Sequence, residues 1–88
     1  MTYRVIVAAT ARRDLQRVPP RIVPAIIKFV FGDLADSPRR VGKPLRRELE
    51  GLHGARRGPY RILSRIDEAA GRVEVLRIDH RSDVYRTD

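Results

Sequence analysis

The stretch YRILSRIDEAAGRVEVLRID, residues 60–79, decides the fold. Its two halves, 60–67 and 72–79, alternate apolar and polar side chains, the period of a half-buried strand. Between them EAAG supplies Gly71, which accepts the positive φ of a hairpin turn. Two alternating runs joined so tightly lie antiparallel. On the first run Tyr60, Ile62 and Ile66 face one way, and Arg61, Leu63 and Arg65 face the other. Just upstream, ARRGP (55–59) puts paired arginines at a turn shaped by Gly58 and Pro59.

At the start of the chain, YRVIVAA (3–9) alternates and reads as a first strand. Thr10 is placed to cap a short helix over 11–18, with Ala11, Leu15 and Val18 on one stripe. Arg13 stands where a capping box would need an acid, so this helix is weak in isolation. Pro19-Pro20 ends it. A second helix starts near Pro20 or Arg21, tolerates Pro24 in its first turn, and repeats Ile22, Ile26, Phe29, Val30 and Leu34 until DSP (36–38) stops it. The short connection folds the two helices into a hairpin. Residues 39–54 show no sustained period and read as a basic loop leading into a weak strand. Leu45, Leu49 and Leu52 equally support a short helical turn there. The tail HRSDVYRTD suits one last helical turn.

The expected order is therefore β-α-α-β-β-β, an α+β fold in one domain spanning 1–88. A small antiparallel sheet packs one face on an N-terminal helical hairpin through Ile26, Phe29 and Leu34. Its other face is left to a partner.

With 19 Lys+Arg against 11 Asp+Glu, the net charge is +8 and the pI about 11.2. Such charge calls for a polyanionic partner. Only Lys28 and Lys43 are lysines, and arginine's planar fork binds phosphate bidentately. There are no cysteines, which excludes disulfides and thiolate sites and fits a cytoplasmic protein. Two histidines do not make a metal centre, and neither a P-loop nor a dinucleotide or metal motif is present. The longest apolar run, IVPAIIKFVF, is far shorter than the roughly 18–20 residues of a membrane span. A soluble protein with no membrane partner, metal or cofactor is expected.

What remains is a set of cations with His80 and Tyr85 near strand ends. Arg61 and Arg65 share the outer face, and His80, Arg81 and Tyr85 can fold over the same surface. The set suits metal-free RNA cleavage, in which a 2′-hydroxyl attacks its own phosphate while cations stabilise the developing charge. His80 is the acid/base candidate, with a plain surface histidine as the alternative. For Tyr85, orienting the hydroxyl, stacking on a base and core packing all stay open. Arg56, Arg57, Lys43, Arg46, Arg47 and Arg65 are the candidate RNA-backbone contacts.

GKPLRRELEGLHGARRGPYRILSRID with VEVLRIDHRSDVYR resembles the RelE/ParE superfamily of bacterial toxins, closest to RelE-type members. TARRDLQRVPPRI also resembles the family's first helix and its breaker, so the likeness runs from about Tyr3 to Arg86. It implies a toxin silenced by a cognate antitoxin in a heteromeric complex. When free, it would enter the ribosomal A site and cleave mRNA there. By position, Arg61 matches the arginine that contacts the scissile phosphate, Arg81 the arginine-rich segment after the last strand, and Tyr85 the catalytic tyrosine. Arg56 matches a basic residue before the turn. The chain departs from the family at Leu52-His53-Gly54, where some RelE-type nucleases carry two lysines. His53, His80 or Arg57 would then have to serve as base. The competing expectations are a ParE-like gyrase inhibitor and a non-catalytic RNA- or ribosome-binding module.

Overall fold

A computed structural model describes residues 2–80. β1 (Arg4–Val7) leads into α1 (Ala9–Gln16), and α2 (Val23–Phe29) continues through one π-helical turn, Val30–Leu34. Then come α3 (Pro38–Val41), β2 (Gly42–Pro44) and a 3-10 turn at Arg47–Leu49. β3 (His53–Arg57), β4 (Tyr60–Asp67) and β5 (Arg72–His80) follow. All five strands form one sheet in the order β1-β5-β4-β3-β2. The expected tail turn, beyond residue 80, lies outside the described residues.

The hairpin over 60–79 forms as the alternation requires, with Tyr60 opposite His80 and Asp67 opposite Arg72. The sheet is not wholly antiparallel, however. β1 runs parallel to β5, pairing Arg4 with Arg72 and Val7 with Val75. Parallel neighbours need a long crossover, and the helices supply it before the later strands begin. β2 also forms where a loop was expected, pairing Gly42 with Ala55 and Pro44 with His53. A three-residue edge strand carrying proline has too little pattern to announce itself.

Burial follows the period of two. Ile62, Val73 and Val75 are fully enclosed and pack with Ile26, Val30 and Leu34 from α2 and its π-helical extension. Side chains of this size each contribute about 1.5–3 kcal/mol when fully buried. Pro24 sits in the first turn of α2, where its missing N–H is not needed. α1 begins one residue before the expected cap. Ala8 precedes it without a side-chain cap bond, and Thr10 lies inside the helix.

Thr10 has another task. β5 carries a bulge, with Leu63 opposite Arg77 but Ser64 opposite Val75, so Leu76 is the extra residue. Past Val75 the outer edge of β5 meets α1 instead of β1. The Ala8 N–H donates to the Val75 carbonyl (2.9 Å), and the Thr10 hydroxyl donates to the Leu76 carbonyl (2.7 Å). The Ile78 N–H donates to Asp14 Oδ2 (2.8 Å). Asp14 also accepts from Arg77 Nε (2.8 Å) and Arg17 Nη2 (3.0 Å), and its side chain is only 3% exposed. Burial alone would push the Asp14 carboxyl up, but the bonds from Arg77, Ile78 and Arg17 outweigh it and hold it below its ordinary value.

Replacing Asp14 by alanine leaves the Ile78 N–H and Arg77 without their acceptor and should cost about 2–3 kcal/mol in denaturant unfolding. A carboxyl depressed in the folded state stabilises above its unfolded value of about 3.8 and loses that effect as pH falls through the lower folded value. The wild type should therefore lose stability in that acid range, and Asp14→Asn should flatten the loss.

Candidate functional site

Strand register sorts the cations between the two faces of the sheet. Gly42, Ala55, Ile62 and Val75 point towards the helices and are buried. Their neighbours Lys43, Gly54, Arg56, Arg61, Leu63 and Arg65 therefore point to the outer face. There Arg56 stands directly opposite Arg61, and on the other side of Arg61 stands Asp79. Directly opposed like charges destabilise a sheet, and an anion placed between them removes the penalty. Among the described residues no ion pair ties Arg56 or Arg61 to a carboxylate.

Asp79 is fixed from behind. Arg77 Nη2 donates to Asp79 Oδ1 (3.1 Å) while the same guanidinium bonds Asp14. A buried carboxylate on α1 thereby sets the position of a surface carboxylate beside Arg61. Arg65 lies about 13 Å along β4 from Arg61, too far to share one phosphate, and pairs with Glu74 at 3.5 Å. Lys43 sits opposite Gly54, on the strand beyond it. Arg46 and Arg47 are exposed in the segment between β2 and β3, and Arg47 takes a left-handed backbone with φ 61°. That conformation is uncommon outside glycine.

Two expected members fall on the other side. Arg57 pairs with Tyr60 and His80 with Tyr60, so both share the helix-facing side of the hairpin end. The His80 ring stands edge-on to Tyr60, centroids 5.4 Å apart. The bulge is the reason: one extra residue at Leu76 moves Ile78 into the core and carries His80 with it, away from the face of Arg61. Between them Tyr60, His80, Asp14, Arg17 and Val18 line a small cavity of about 220 Å³. His53 also faces inward, opposite buried Ser64, and its Nδ1 is buried without a hydrogen-bond partner among the described residues. Arg81 and Tyr85 lie outside the described residues. Among the described residues no three His, Cys, Asp or Glu side chains group as a metal site would need. None of their helices is long and apolar enough to cross a membrane.

A family model described as the ParE toxin of the type II toxin–antitoxin system parDE matches residues 5–85. The chain belongs to this toxin family. It is 58% identical to toxin RelG of Mycobacterium tuberculosis over 98% of its length and 99% of that protein. To toxin RelE of the same organism it is 55% identical, over 96% of this chain and 87% of that one. The crystal structure of the M. tuberculosis RelBE2 toxin–antitoxin complex contains a chain that is 57% identical, with a TM-score of 0.89 over 92% of this chain and all of that one. The fold is thus that of the RelE toxins, and the protein is the toxin component of a toxin–antitoxin system. RelE toxins are ribosome-dependent and cleave mRNA.

Burial lowers the His53 pKa, and the nearby Arg39 charge lowers it further. A histidine depressed on folding stabilises above its unfolded value, near 6.5, and destabilises as pH falls below it. The melting temperature should drop between pH 7.5 and pH 5, and His53→Gln should remove most of that drop.

Proposed function

We propose that this toxin cuts ribosome-bound mRNA on the outer face of its sheet, without a metal ion, with Arg61 and Arg56 holding the scissile phosphate. The observation that carries it is the cross-strand pair itself. Two arginines opposed in register, with a fixed carboxylate beside them, make a cationic face that the phosphodiester anion, and still more its dianionic phosphorane, stabilises. RNA brings its own nucleophile. The 2′-oxygen attacks the adjacent phosphorus, the bond to the 5′-oxygen breaks, and a 2′,3′-cyclic phosphate remains. The 2′-hydroxyl loses its proton to a base, and the leaving oxygen takes one from an acid. Arg61 and Arg81 stabilise the equatorial charge and Tyr85 orients the reacting groups. Lys43, Arg46, Arg47 and Arg65 steer and hold the RNA backbone.

A cognate antitoxin would silence the protein in a heteromeric complex, as the toxin–antitoxin complex of its M. tuberculosis relative suggests. An acidic or amphipathic antitoxin helix fits the basic, partly apolar surface. Such a toxin works in the cytoplasm, where translating ribosomes are. The ParE name of the family model favours a second reading, a gyrase-inhibiting toxin.

Induction in cells lacking the antitoxin separates the two. Codon-positioned 5′ ends on translated messages support mRNA cleavage, whereas DNA breaks with intact messages support gyrase inhibition. Arg61→Ala should lower cleavage about 10²-fold or more and leave antitoxin binding intact. A message with a 2′-deoxynucleotide at the cut site should resist; if it is cut as fast as RNA, the 2′-hydroxyl route is wrong.

A further inference from the structure

A side chain at Gly54 would meet the Arg61 guanidinium. A Cβ built there would lie 2.9 Å from Arg61 Nε, 3.2 Å from Arg61 Nη2 and 3.4 Å from Leu45 Cδ2. Arg61 rises from β4 two residues before the Leu63 that faces Gly54, on the same face, so its guanidinium folds diagonally over the glycine. Leu45 walls the seat from the other side and is itself fixed, its N–H donating to the Leu52 carbonyl at 2.9 Å.

The three atoms that crowd a Gly54 Cβ are all side-chain atoms, and none belongs to the backbone. Gly42, on the neighbouring strand, differs: its Cβ would meet the Pro38 and Gly54 carbonyl oxygens at 3.2 and 3.4 Å. Gly42 is therefore small for the sake of the fold. Gly54, in a strand where alanine is the more favourable residue, is small for the sake of Arg61. A methyl group at Gly54 is accommodated by moving the flexible guanidinium, which costs the fold little and displaces the group proposed to hold the phosphate.

We infer that Gly54 is a positioning residue: its bare backbone is the seat that aims the Arg61 guanidinium on the outer face. This inference rests on the proposed role of Arg61 at the phosphate. The vacant volume at Gly54 goes to an arginine from the next strand.

Gly54→Ala should cut the single-turnover cleavage rate on ribosome-bound message roughly tenfold or more. Ribosome affinity should be unchanged, and the melting temperature unchanged or raised. In an Arg61→Ala background the same substitution should cause no further loss. Wild-type cleavage by folded Gly54→Ala, or an equal loss in both backgrounds, overturns the inference while Arg61→Ala is impaired but measurable. Full activity of Arg61→Ala instead brings down the reading of Arg61, and this inference with it. If Gly54→Ala does not fold, Leu45→Ala decides, since loosening the other wall should lower the rate several-fold with affinity intact, and an unchanged rate overturns the seat.

Discussion

β5 is nine residues long and β1 only four, so from Leu76 onwards no strand covers the outer edge of β5 among the described residues. An uncovered row of backbone donors and acceptors is costly when buried and a pairing hazard when exposed. The chain closes the gap with the helix that follows β1. Thr10 and Asp14, one turn apart on α1, reach the backbone of Leu76 and Ile78 as a strand would. Because Asp14 also gathers Arg17 and Arg77, one enclosed carboxylate fixes helix, bulge and strand end together. Everything at the far end of the hairpin inherits its position from that contact: Asp79 through Arg77, and the Tyr60–His80 ring pair through the bulge.

The two faces of the sheet thus have different origins. Hydrophobic burial sets the inner one, where Ile62, Val73 and Val75 leave almost no freedom. The outer one is assembled from residues that the fold tolerates and does not need. Arg56, Arg61, Lys43 and Gly54 share it because the pleat puts them there. A rigid hydrophobic layer underneath carries a cationic layer above it.

Much of this was legible in the residues. The period of two in 60–67 placed Tyr60 and Ile62 inside and Arg61 outside, and Gly71 does take a positive φ, 62°. The α+β class and the course of the helices followed from Pro19-Pro20 and the apolar stripe of α2. Parity in β5 did not, because a bulge inserts one residue with no compositional mark. Val73 and Val75 face inward, and then Ile78 does so in place of Arg77. His80 consequently lies beside Tyr60, away from Arg61. Asp14 was hidden for a related reason. It sits within the stripe of Ala11 and Val18, where a charge signals a buried partner, but its partners lie on a strand more than sixty residues later. Gly54 gave no signal at all, since its importance is the space it leaves for a side chain from another strand.

The parallel pairing of β1 with β5 has a temporal meaning. The first strand to leave the ribosome finds its neighbour only in the last strand of the hairpin, since Arg4 pairs with Arg72. Contacts so distant in sequence close slowly and late. The sheet cannot complete while β5 is still being made, and Arg61 gains its flanking Asp79 only when β5 arrives. The face proposed to hold RNA is thus incomplete until β5 has been made. The chain's topology acts as a delay.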